Sequence, residues 1–66
     1  MKKVGLLGCG KIGRAIMKHV QETGHQVSFV QDPFFKEPVD FPVITAPDPK
    51  VYAGTDLVVE CATATA

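Results

Sequence analysis

The chain has 66 residues, seven Lys or Arg against seven Asp or Glu, and 45% apolar residues. That balance fits a folded globular piece, not a disordered tail, and leaves no basic excess to neutralise a nucleic-acid duplex. A fold of this length buries only about 60% of the surface its unfolded chain exposes, so its stability is marginal.

Residues Val4 to Leu7 form a short apolar run that ends at Gly8, the pattern of a buried strand. From Lys11 to Thr23 the period changes. Ile12, Ile16 and Val20 recur every four residues, with Ala15 and Thr23 beside the same stripe. Lys11, Arg14, Lys18, Gln21 and Glu22 fill the polar side, so an amphipathic helix of about three turns is expected. Gly24 is its natural stop. Val27 to Val30 reads as a second strand of imperfect alternation, in which Ser28 needs a partner if it is buried. Asp32-Pro33 ends that strand, and Phe34 to Pro42 has no helical period and reads as a loop. Pro42 to Thr45 is a weak third strand suited to a sheet edge. Asp48 caps a single helical turn that runs to Ala53, with Pro49 at its first position and Gly54 as its stop. Leu57 to Cys61 is a fourth strand. The fold class is therefore α/β: a parallel sheet of about four strands in the order 3-2-1-4, with a right-handed strand–helix–strand unit at its start.

The glycines acquire meaning in that frame. Gly8, Gly10 and Gly13 make G-x-G-x-x-G between the first strand and the first helix. Gly8 allows the tight turn, Gly10 leaves room for a pyrophosphate against the backbone, and Gly13 lets the helix pack close to the strands. The free N–H groups of the helix start, from Cys9 through Lys11 and Ile12, and the positive end of the helix dipole suit an anion. A plain strand-to-helix turn is the blander reading. Against it stands Asp32, an acid at the end of the second strand, 24 residues beyond Gly8. A carboxylate there accepts the ribose hydroxyls of an adenosine and repels a 2′-phosphate, which favours NAD and leaves NADP possible. The plainer role for Asp32 is to start a turn, and Lys36 softens the discrimination.

Other residues carry weaker signals. No apolar run approaches the roughly 18 residues that span a bilayer, so no membrane association is expected. Met-Lys-Lys is followed by an apolar run broken by Gly5, Gly8 and Gly10, which is no signal peptide. Two cysteines, Cys9 and Cys61, are too few for a disulfide scaffold and lack metal-ligand spacing, so the expected setting is reducing and cytoplasmic. The fold places their strands side by side. A redox pair is the sharper reading, and small side chains beside a cofactor the better one. His19 and His25 have no accompanying ligand cluster, so no metal site is expected. Lys11 and Arg14 serve as phosphate contacts or as a solvated helix face. Glu60 is structural or lines the site. Phe34 and Phe35 are expected to cover the adenine side or the sheet edge.

VGLLGCGKIGRAI at 4–16, Asp32 at its strand end and DLVVECAT at 56–63 together resemble the N-terminal NAD-binding part of dehydrogenases with a glyceraldehyde-3-phosphate-dehydrogenase-like Rossmann domain. The L-aspartate dehydrogenase and homoserine dehydrogenase branch is the nearest match. The resemblance covers nearly the whole chain. It implies that Cys61, Ala62 and Thr63 follow a strand beside the nicotinamide half of the cofactor. It also implies a nicotinamide-dependent oxidoreductase, most closely an amino-acid dehydrogenase, acting on a small-molecule substrate. The family continues with two more strands and a substrate domain, so residues 1–66 are expected to form one partial, truncated NAD(P)-binding Rossmann domain. Such a fragment carries no catalytic residues and is inactive alone. Its fourth strand, as a bare edge, favours a homo-oligomer. The alternative is a non-catalytic nucleotide-binding or regulatory module.

Overall fold

The computed structural model describes residues 1–61. Its elements run β1 (Lys3–Leu7), α1 (Lys11–Glu22), β2 (Gln26–Gln31), β3 (Val43–Ile44), α2 (Pro49–Ala53) and β4 (Leu57–Glu60). The four strands form one parallel sheet in the order β3-β2-β1-β4, as expected. β1 lies inside the sheet, and its Leu6 pairs with Val30 on one side and Val59 on the other. That flanking leaves Leu6 with no exposed surface. Burying such a side chain contributes about 1.5–3 kcal/mol.

A bulge in β2 explains its imperfect alternation. Val4 pairs with Val27, but Gly5 pairs with Phe29, so Ser28 is the extra residue. The extra residue lets Val27 and Val30 join one cluster with Val4, Leu6 and Val20. Phe29 takes the opposite face, where its ring lies 5.3 Å from that of Tyr52 in α2. The partner that Ser28 needs is Thr55, whose hydroxyl lies 2.7 Å from its own. Tyr52 also hydrogen-bonds the side chain of Gln31 and so fastens α2 to the end of β2.

α1 covers the other face, and its buried stripe differs from the one the sequence suggests. Gly13 and Val20 are buried, and Ile16 and Met17 are partly buried against the core. Ile12 is 56% exposed, and Ala15 and Thr23 are exposed as well. The reason is the absent side chain of Gly13. The helix turns this bare position toward the strands, and the first turn then carries Ile12 outward. Thr23 is the cap residue; its N–H and its hydroxyl both donate to the carbonyl of His19. α2 begins as its sequence requires. Asp48 is the N-cap, its carboxylate accepts the Lys50 N–H at 3.0 Å, and Pro49 follows.

β3 is only two residues long and lies at one edge. The Pro42 carbonyl accepts from Val30 N–H, and the Ile44 carbonyl accepts from Asp32 N–H. β4 lies at the other edge, with Leu57 51% and Val58 43% exposed. No helix among the described residues is long and apolar enough to cross a membrane.

Candidate functional site

Because the strands are parallel, the carboxyl ends of β1, β2 and β4 open on one side of the sheet. The order reverses between β1 and β4, and a crevice forms where the chain departs in opposite directions. Two backbone bonds draw the ends together. Gly8 N–H donates to the Gln31 carbonyl at 2.9 Å, and Cys61 N–H donates to the Leu7 carbonyl at 2.8 Å. A cleft of about 700 Å³ lies over them, lined in part by Gly8, Cys9, Gly10, Asp32 and Cys61.

The three glycines differ in what they do there. Gly8 has φ +84°, a left-handed conformation that makes the sharp exit from β1. Gly10 is the N-cap of α1, and a Cβ built on it meets no atom within 4 Å. A Cβ on Gly13 would lie 2.9 Å from the Gly8 carbonyl oxygen and 3.3 Å from the Cys61 Cβ. Gly13 therefore sets how closely the helix approaches the strand ends, and Gly10 keeps open the space in front of it. The first intrahelical bond is Arg14 N–H to the Gly10 carbonyl. The N–H groups before it are those that helix geometry leaves without intrahelical acceptors. Lys11 and Ile12, in that first turn, are exposed.

Asp32 does more than end a strand. One carboxylate oxygen accepts the Cys9 N–H at 2.7 Å, and the other accepts the Phe34 N–H at 2.8 Å. The carboxylate thus pins the glycine loop to the end of β2 and closes the turn at Pro33. Each oxygen keeps a further lone pair, and the side chain faces the cleft. Phe34 is 84% exposed at the cleft rim, whereas Phe35 is 7% exposed and belongs to the core.

Cys9 and Cys61 are both free and buried, on either side of Gly13. Burial pushes both thiols above their ordinary range, and for Cys9 the nearby Arg14 charge offsets part of the rise. They are compact, neutral side chains in the lining of the cleft. His25 accepts the Lys2 N–H on its Nδ1. Among the described residues no three His, Cys, Asp or Glu side chains gather as a metal site. Ala62 and Thr63, expected beside the cofactor, lie outside the described residues.

Arg14 lines the cleft, sits 6.0 Å from the centre of the Phe35 ring and is paired with Glu37. Sequence reasoning missed Glu37. It lies 23 residues from Arg14 in an aperiodic loop, and no local pattern marks such a contact.

The family model described as NADP oxidoreductase coenzyme F420-dependent matches residues 3–61. No curated protein and no solved structure matches the chain.

Proposed function

The chain belongs to the family of NADP oxidoreductases, coenzyme F420-dependent, a group of nicotinamide-dependent oxidoreductases with a Rossmann module, and from that premise we propose that residues 1–66 are the part that holds the dinucleotide. The observation that carries this reading is the open space over Gly10, framed by the turn at Gly8 and the close approach at Gly13. A pyrophosphate fits where a Cβ would otherwise project. Gly8, Cys9, Gly10, Lys11, Ile12 and Gly13 form the cradle, through backbone N–H groups and the helix dipole. Asp32 takes the adenosine ribose, and Cys61, followed in sequence by Ala62 and Thr63, stands toward the nicotinamide. When bound, the nicotinamide supplies or accepts a hydride. This chain's own residues bind and orient it.

Against the NADP of the family's description, NAD is the cofactor this reading favours, because the Asp32 carboxylate repels a 2′-phosphate at the end of β2. A narrower reading makes the whole protein an amino-acid dehydrogenase of the L-aspartate type, acting on a small-molecule substrate. It rests on the DLVVECAT segment at 56–63. Titration of NAD(H) and NADP(H) into the purified chain, followed by calorimetry, tests the main proposal. We expect saturable binding of both, tighter for NAD(H), and no dehydrogenase turnover by residues 1–66 alone. Absence of binding by either cofactor would end the proposal.

Self-association belongs to the same reading. β4 offers an unpaired strand edge in the described sheet, with Leu57 and Val58 exposed. Light scattering is expected to find dimers or larger species. A monomer at high concentration would remove the homo-oligomer from the proposal.

A further inference from the structure

The Arg14–Glu37 pair stands at the surface beside the cleft. Both side chains are about half exposed, at 53% and 42%, so the pair contributes little to stability. Arg14 also meets more than Glu37. It rises from the first turn of α1, its guanidinium lies over the buried Phe35 ring, and it faces the same cleft as Asp32 and Pro33. A guanidinium beside the end of β2 is the group that a phosphate on an adenosine 2′ position would seek, because its planar fork matches phosphate oxygens. Glu37 pairs with its Nη1 instead.

We propose that Glu37 is a specificity-determining residue, an internal carboxylate that holds Arg14 away from a 2′-phosphate and so keeps the cleft selective for NAD over NADP. The inference rests on the dinucleotide reading above. Two carboxylates then act together by different routes. Asp32 repels the 2′-phosphate directly, and Glu37 competes with it for the one guanidinium on the cleft wall. Lys36 is exposed in the same loop, next to Glu37 in sequence, and its charge favours the phosphate in every variant alike. A dinucleotide without the 2′-phosphate gains nothing when Arg14 is released.

The test is a double-mutant cycle with NAD⁺ and NADP⁺ as the ligands, titrated at low and at high salt. Both residues are half exposed, so Glu37→Gln and Arg14→Gln retain the fold, which thermal melts verify. Glu37→Gln is expected to tighten NADP⁺ by about threefold at low salt, the scale of an exposed ion pair, and to leave NAD⁺ unchanged. In the Arg14→Gln background the same Glu37 change is expected to alter neither ligand. An equal gain for both cofactors, or a gain for NADP⁺ that survives loss of Arg14, overturns the proposal and leaves the dinucleotide site intact. Failure of the unmodified chain to bind NAD⁺ overturns the dinucleotide reading and this inference with it.

Discussion

Gly10→Ala and Gly13→Ala are expected to weaken dinucleotide binding by about tenfold or more by different routes, and only the second should also weaken the fold. A methyl group on Gly10 enters empty space, and the backbone there is extended with a negative φ of −79°, so no left-handed conformation demands glycine. The melting temperature of Gly10→Ala should therefore stay near that of the parent, because nothing is displaced and no intrahelical bond is lost. The same methyl stands where the pyrophosphate would rest, so affinity should fall by about tenfold or more, equivalent to roughly 1.4 kcal/mol. On Gly13 the methyl meets the Gly8 carbonyl at 2.9 Å and the Cys61 Cβ at 3.3 Å. The first of these is backbone and yields only if the turn opens or the helix backs away. Overpacking of this kind costs about 1–3 kcal/mol. In a domain this small each kcal/mol lowers the midpoint by about 4–8 °C. Thermal melts beside cofactor titrations separate the two effects. A Gly10→Ala chain that binds like the parent would show that no phosphate approaches that position. A Gly13→Ala chain of unchanged stability would show that the helix is not held at its closest approach.

Those two glycines also mark where the sequence is easy to read. The strand order, the start of α1 at Lys11 and the Asp48-Pro49 cap of α2 follow from local rules: an apolar run, a period near 3.6, a capping side chain, a proline at the first turn. What escapes those rules is settled by contacts between distant segments. Ile12 belongs to the apolar stripe by spacing and yet is exposed, because Gly13, with no side chain to announce itself, chooses the face that approaches the sheet. The β2 bulge is of the same kind. Val27 and Val30 differ by an odd number of positions and still share a face, because the Phe29 ring must lie over Gly5. A Cβ on Gly5 would fall 2.1 Å from that ring. At the site, the spacing of Asp32 from the glycines is legible, but its bonds to the Cys9 and Phe34 N–H groups are not, since they depend on how the loop folds back. The Arg14–Glu37 contact likewise has no period or motif to reveal it.

Asp32→Ala is expected to disturb both the loop and the choice of cofactor, and the two consequences come apart experimentally. The carboxylate accepts two backbone N–H groups, from Cys9 at 2.7 Å and Phe34 at 2.8 Å. Alanine leaves both donors without that partner; the exposed Phe34 N–H turns to water, whereas the part-buried Cys9 N–H left unsatisfied costs about 1–3 kcal/mol. Loosening the glycine loop in this way weakens NAD(H) and NADP(H) together. Loss of the carboxylate as a ribose acceptor weakens NAD(H) further, while loss of its negative charge relieves NADP(H) of a repulsion. NAD(H) affinity should therefore fall by about tenfold or more, NADP(H) affinity by less, and the gap between them should narrow. Asp32→Asn isolates the charge. Its amide oxygen still accepts one N–H, so it should melt above Asp32→Ala, yet it carries no charge to repel a phosphate. If Asp32 serves only as a pin for the loop, affinities across the parent and both variants track the melting temperatures and the ratio of NAD(H) to NADP(H) binding stays constant. A constant ratio would thus remove Asp32 from cofactor recognition and leave it as the residue that ties the first turn of the fold to the end of its second strand.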